Sequence, residues 1–82
     1  MLTITAVIRV KHGYDRVMRE ALLEVAENVR ANESETLGFF ISQSLNDPCV
    51  FTTYERFADR AAMDRHNNCE VVARRLWRDP FG

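Results

Sequence analysis

The chain has little glycine and cysteine, and those few residues are far apart. Its three glycines, Gly13, Gly38 and Gly82, are too dispersed to form a phosphate-binding or dinucleotide-binding loop. Cys49 and Cys69 are the only cysteines, too few for a disulfide framework. This scarcity favours a reducing compartment, and we expect a cytoplasmic protein.

The chain also lacks an excess of charge and a long hydrophobic run. Its 12 acidic and 11 basic side chains leave a formal net charge of −1, so the positive surface that phosphate backbones require is missing and we expect no nucleic-acid partner. No stretch approaches the roughly 18 apolar residues of a membrane helix. Residues 1–8 are not followed by the cleavage site of a signal peptide. We therefore expect no association with a membrane.

What the chain does have is enough apolar sequence for one small domain, which we expect to span residues 1–82. Hydrophobic side chains make up 46% of it, but a core of this size leaves only about 3 to 5 kcal/mol of net stability. Metal stabilisation is not expected, because His12 and His66 lie far apart and His66 with Cys69 supplies only two ligands. Association with a second copy of the chain is the source of stability that remains, so we expect a homodimer.

Hydrophobic periodicity predicts the order β-α-β-β-α, which is typical of an α+β sandwich with its helices on one face of a sheet. Asp59 stands where the second helix needs an N-cap, and the weak helix formers Asn67 and Asn68 leave open whether that helix is continuous or split. The predicted elements are a strand over 2–10, a helix over 14–29, a strand over 37–45, a turn at 46–48, a strand over 50–55, and a helix from about 59 to 77 that Pro80 ends.

The far face of this sheet has no helix to cover it. We expect the helices on the side of Leu2, Ile4, Ala6 and Ile8. The opposite side then presents an apolar surface to water unless another sheet covers it, which again favours a dimer. The residues expected there are Val7 and some of Phe40, Val50, Thr52 and Tyr54.

His66 is the leading candidate for chemistry because it falls on the apolar stripe of the second helix, in phase with Ala62 and Cys69. A half-buried imidazole can act as a general base or anchor a ligand. It can equally be a core histidine that bonds a backbone carbonyl or Glu55. The sequence alone favours the core role over the catalytic one.

The remaining candidates are aromatic or acidic. Tyr54 and Glu55 point to opposite faces of their strand, so only one can share a pocket with His66, and parity does not say which. An inward Glu55 would need His66 or an arginine as partner, whereas a rim Glu55 would pair with Arg56 or Arg60. A group of aromatic rings is either a pocket lining for a flat apolar ligand or ordinary core: Phe39, Phe40, Phe51, Phe57 and Trp77.

The sequence resembles the antibiotic biosynthesis monooxygenase family, small dimeric α+β barrel proteins of ferredoxin-like topology. The opening segment over residues 2–13 is similar to the family's, and residues 54–66 (YERFADRAAMDRH) are similar to its tyrosine-glutamate, aromatic, alanine-leucine or alanine-methionine, histidine pattern. The resemblance covers nearly the whole chain. It implies a dimer whose two sheets face each other, with a pocket between sheet and helices in each subunit.

The resemblance also implies a chemistry. Some relatives oxidise hydroxylated aromatics, quinols or anthrone-like polyketides with dioxygen and without metal, flavin or other cofactor. His66 matches the family's histidine and would be the catalytic base. Tyr54, Glu55 and Phe57 match neighbouring positions and would bind substrate, together with Phe39, Phe51 and Trp77. The alternatives left open are a non-catalytic dimer that binds a small apolar ligand or a protein, and a cofactor-free isomerase or decarboxylase.

Two departures from the family pattern shape these expectations. Haem-degrading relatives carry an asparagine, a tryptophan and an iron-ligating histidine at places that here hold Ala6, Phe57 and Leu76, so haem degradation is not expected. Relatives usually continue into a fourth strand, whereas this sequence stops at Gly82. We expect that strand to be absent or vestigial.

Overall fold

The computed structural model describes residues 1–69 and residue 72, in which three strands form one antiparallel sheet. The elements are β1 (Leu2–Arg9), α1 (Asp15–Asn32), β2 (Thr36–Gln43), β3 (Val50–Phe57) and α2 (Arg60–Asn67). β3 lies in the centre and pairs with β1 on one side and β2 on the other. The predicted α+β order is confirmed. The expectations for Trp77, Leu76, Pro80 and a fourth strand fall outside the described residues.

Alternation along β3 separates the two faces of the sheet. Phe51, Thr53 and Phe57 are fully buried on one face, and their cross-strand partners in β1 are Ile8, Ala6 and Leu2. Both helices lie on this face: the periodic apolar side chains of α1 pack against it, and His66 of α2 contacts the ring of Phe57. One buried cluster joins the strand ends to α1 and contains Val10, Met18, Leu22 and Phe51. A second joins α1 to the chain after α2 and contains Val25, Val29 and Val72.

Short connections hold these elements in register. Gly13 has a φ of 91°, in the left-handed region that favours glycine, within a turn closed by the Tyr14 N–H bonding the Lys11 oxygen. Between β2 and β3, the Val50 N–H bonds the Asp47 oxygen at 3.0 Å, with Pro48 in the second position of the turn. The predicted turn chemistry at residues 46–48 is confirmed.

The start of β2 differs from the simple alternation in the sequence. Thr36 pairs with Phe57 and Gly38 with Arg56, so Leu37 is an extra residue between consecutive pairs of the ladder. Regular alternation along the predicted strand 37–45 would place Leu37 on the same face as Phe39, and this expectation is wrong: the bulge turns Leu37 to solvent and leaves Thr36 buried beneath the helices. From Phe39 onward the alternation is regular.

The helix-free face of the sheet carries exposed apolar side chains, as expected. Phe40 of β2 and Tyr54 of β3 stack there with ring centroids 6.2 Å apart, and Val7 of β1 is also exposed. Within the described part of the chain, no helix is long and apolar enough to cross a membrane.

Candidate functional site

His66 lies near the C-terminal end of α2 and faces the sheet. Asp59 starts this helix: its side-chain oxygen accepts a hydrogen bond from the Ala62 N–H at 2.9 Å. The helical period then places His66 four residues after Ala62, and both side chains are buried. His66 retains only 3% of its exposure, as expected for a residue on the apolar stripe of this helix.

Each ring nitrogen of His66 faces a carboxylate. Nδ1 lies 2.8 Å from Oε1 of Glu33, and Nε2 lies 3.6 Å from Oε1 of Glu55. The first distance is a hydrogen bond, whereas the second is too long for one. Both carboxylates are largely buried, with side-chain exposures of 14% for Glu33 and 12% for Glu55. The imidazole is therefore bonded on one side and separated from a second acidic group by a short gap on the other.

Glu33 follows the last residue of α1 and is held by its backbone and its side chain. Its N–H bonds the Val29 oxygen at 3.0 Å, and its own carbonyl accepts from the Thr36 N–H at 3.2 Å. The carboxylate accepts a further bond from the Thr36 hydroxyl at 2.8 Å and one from the Asn28 amide at 2.9 Å. This loop between α1 and β2 thus aims an acidic group at α2.

Glu55 reaches His66 from the sheet. It sits on β3 opposite Ile4 of β1 and Phe39 of β2, on the face that carries the helices. Its Oε2 accepts a hydrogen bond from the buried Thr53 hydroxyl at 2.8 Å. The question that strand parity left open is thereby answered: Glu55 faces His66, and Tyr54 lies on the opposite face.

Two aromatic rings complete the surroundings of the imidazole. The ring centroid of Phe39 is 5.5 Å from that of His66 and the Phe57 centroid is 5.4 Å away, both in tilted arrangements. Phe51 packs in the buried cluster with Met18 and Leu22 instead. Of the predicted substrate-binding residues, the structure thus brings Glu55, Phe39 and Phe57 to His66 and leaves Tyr54 and Phe51 elsewhere, while Trp77 lies outside the described residues.

A shallow cleft opens beside Glu33. Its volume is about 150 Å³, and its walls come from the loop between α1 and β2 and from α2. An ion pair between Arg65 and Glu35 crosses the same region. Among residues 1–69 and 72, no group of three histidine, cysteine or acidic side chains is arranged to hold a metal ion.

Sequence reasoning missed Glu33 and Thr53. Glu33 belongs to a polar, aperiodic segment in which nothing distinguishes it from Glu35, and it is 33 residues away from His66 in the chain. Thr53 is one of four threonines on β1 and β3, and their alternation resembles that of any strand, so its bond to Glu55 is visible only in the folded chain.

Comparison with known proteins agrees with this fold. The family model described as antibiotic biosynthesis monooxygenase matches residues 1–74. No curated protein matches the chain.

Solved structures share the same architecture. The protein PA3566 from Pseudomonas aeruginosa is 28% identical with a TM-score of 0.80, over 88% of this chain and 72% of that one. A crystal structure of an antibiotic biosynthesis monooxygenase is also 28% identical, with a TM-score of 0.82, over 90% of this chain and 77% of that one. Protein SO0527 from Shewanella oneidensis, at 24% identity and a TM-score of 0.78 over 85% and 67% of the two chains, shows similarity of fold alone.

Proposed function

Because this chain belongs to the antibiotic biosynthesis monooxygenase family, we propose that it oxidises a small aromatic, quinol or polyketide-type substrate with dioxygen and without a cofactor. The observation that carries the proposal is the buried imidazole of His66 between two carboxylates and two phenylalanine rings. A positioned base is what such a reaction requires of the protein.

The substrate itself supplies the electrons in this chemistry. The base removes a proton from a hydroxyl or an activated carbon, which leaves an electron-rich anion. That anion reduces dioxygen and forms a carbon–oxygen bond, giving a peroxide; loss of water from the peroxide leaves a carbonyl. For a methylene carbon the balance is CH2 + O2 → C=O + H2O, so one oxygen atom enters the product and the other leaves as water.

The residues around His66 fit the first step. His66 accepts the substrate proton, and the imidazolium that forms lies between Glu33 and Glu55. Phe39 and Phe57 pack against the imidazole and give it apolar neighbours on the side of the sheet. Phe51 belongs to the neighbouring buried cluster, against which Phe39 packs.

Oxygen uptake with a panel of quinols and hydroxylated aromatics tests the proposal. His66→Gln keeps a polar side chain but removes the base, and we expect its rate to fall by about a hundredfold or more. His12→Gln is the matched control, because His12 is the other histidine and is exposed in the turn before α1. Equal uptake by wild type and His66→Gln, with the fold intact by circular dichroism, would contradict the assigned role.

An isomerase is the second candidate, and a specific distance favours it. Glu55 lies 3.6 Å from Nε2 of His66, so two proton-carrying groups stand side by side, as moving a proton between two atoms of one substrate requires. Turnover that persists without oxygen would favour this candidate. Turnover that stops under nitrogen and returns with air would favour the oxygenase.

A further inference from the structure

We propose that Glu33 is a positioning residue that fixes the tautomer of His66, so that Nε2 is the nitrogen that accepts the substrate proton. The inference rests on the proposed function for its catalytic consequence, since it names the reactive atom of the same base. The tautomer itself is a property of the protein without substrate.

The tautomer follows from what a carboxylate can do in a hydrogen bond. An ionised carboxylate only accepts, so the 2.8 Å contact between Glu33 Oε1 and His66 Nδ1 requires the proton on Nδ1. In the neutral ring, Nε2 then carries the lone pair. The nitrogen that donates to a neighbouring acidic group and the nitrogen that reacts are therefore opposite each other on the ring.

Glu33 is better placed than Glu55 to decide this. Hydrogen bonds from Thr36 and Asn28 to its carboxylate, and two backbone bonds beside them, hold it within bonding distance of Nδ1. The Asn28 amide is itself oriented, because its oxygen accepts from Asn32 at 2.8 Å. Glu55 is tied to Thr53 and stops 3.6 Å short of Nε2. The ring proton is therefore expected on Nδ1, which makes the shorter contact.

The same geometry allows the His66 ring two tautomers, each stabilised by a different carboxylate. Without the Glu33 carboxylate, the carboxylate that remains at the ring is Glu55, on the Nε2 side. The ring would then hold its proton on Nε2, and the lone pair would move to Nδ1, on the other side of the ring from Glu55. Replacing Glu33 is thus expected to leave His66 in place but with its lone pair on the wrong nitrogen to act as the base.

Nitrogen-15 NMR of the His66 ring in mildly alkaline buffer measures the tautomer without substrate. The wild type is expected to show the proton on Nδ1. Glu33→Met, similar in length but without an acceptor, is expected to show it on Nε2, whereas Glu55→Met leaves it on Nδ1. A wild-type ring protonated on Nε2, or on both nitrogens, overturns the proposal, and so does a Glu33→Met ring that keeps its proton on Nδ1.

Kinetics separate positioning from a merely structural role. With a substrate that the wild type oxidises, Glu33→Met is expected to lower kcat at least about tenfold with KM little changed, since only the proton-accepting step is lost. Glu27→Met is the matched control, because Glu27 is exposed on α1 and pairs with Arg30. An unchanged kcat in Glu33→Met overturns the proposal. If no substrate is oxidised, the proposed function fails, while the NMR measurement still decides the role of Glu33.

Discussion

The two acidic side chains at His66 are each held by a threonine hydroxyl. Thr36 bonds Glu33 and Thr53 bonds Glu55, and both threonines are themselves buried. Carboxylates at this depth are costly unless their oxygens are hydrogen bonded. The hydroxyls are therefore part of what allows acidic groups to lie beside the imidazole.

Replacing Thr53 by valine tests this dependence. The change keeps the shape of the side chain but leaves Glu55 Oε2 without its 2.8 Å donor, and we expect the free energy of unfolding to fall by about 1 to 3 kcal/mol. Urea denaturation measures it. Thr52→Val, one residue away on the opposite face, is expected to change stability by less than about 0.5 kcal/mol. Equal effects of the two substitutions would show that the hydroxyl of Thr53 is dispensable.

For His66, the sequence predicted the direction of the imidazole better than it predicted the side chains that contact it. The helical stripe of Ala62 and His66 is sufficient to aim the imidazole at the sheet, because helix geometry is local. The contact with Glu33 depends instead on how the end of α1 packs against α2, and no local pattern encodes such packing. Glu55 is an intermediate case. The sequence limited its side chain to one of two faces of β3, and only the packing of the helices shows which face it occupies.

At the scale of elements, α2 is positioned by the residue that precedes it, Asp59. Asp59 caps the helix by accepting the Ala62 N–H, and the helix ends at Asn67, where the weak helix formers Asn67 and Asn68 begin. The cap sets the phase of the turn that leads to His66. The Asp59 cap was readable from the sequence, whereas the bulge that turns Leu37 outward was not, because a strand with an extra residue still alternates on both sides of it.

Asp59→Ala is expected to destabilise the protein by about 0.5 to 2 kcal/mol, the usual cost of losing an N-cap hydrogen bond. A second signature is increased hydrogen exchange of the α2 amides, measured by mass spectrometry, since the helix would fray from its start. Asp64→Ala, an exposed position inside the same helix, serves as control. The cap would be unimportant if both variants melted at the wild-type temperature.

At the scale of the whole molecule, the main feature is the helix-free face of the sheet, which exposes apolar side chains. Phe40 is 58% exposed and stacks on Tyr54, with Val7 exposed on the same face. We propose that a second copy of the chain covers this face, sheet against sheet. The small hydrophobic core and the apolar character of the face support this proposal.

Sedimentation velocity of Phe40→Glu tests the proposed dimer. A charge on this face would have to be buried on association, so we expect the wild type to sediment as a dimer at micromolar concentration and the variant as a monomer. Leu45→Glu is the control, because Leu45 is fully exposed in the turn after β2. A wild-type monomer whose melting temperature is independent of dilution would contradict the proposal.

Labelled dioxygen tests the central claim most directly. With ¹⁸O2 and a quinol or anthrone-type substrate, mass spectrometry is expected to find one ¹⁸O atom per product molecule formed by the wild type, and product at the uncatalysed rate with His66→Gln. Product whose new oxygen comes from water, or equal labelled product from both proteins, would contradict a cofactor-free oxygenation in which His66 is the base.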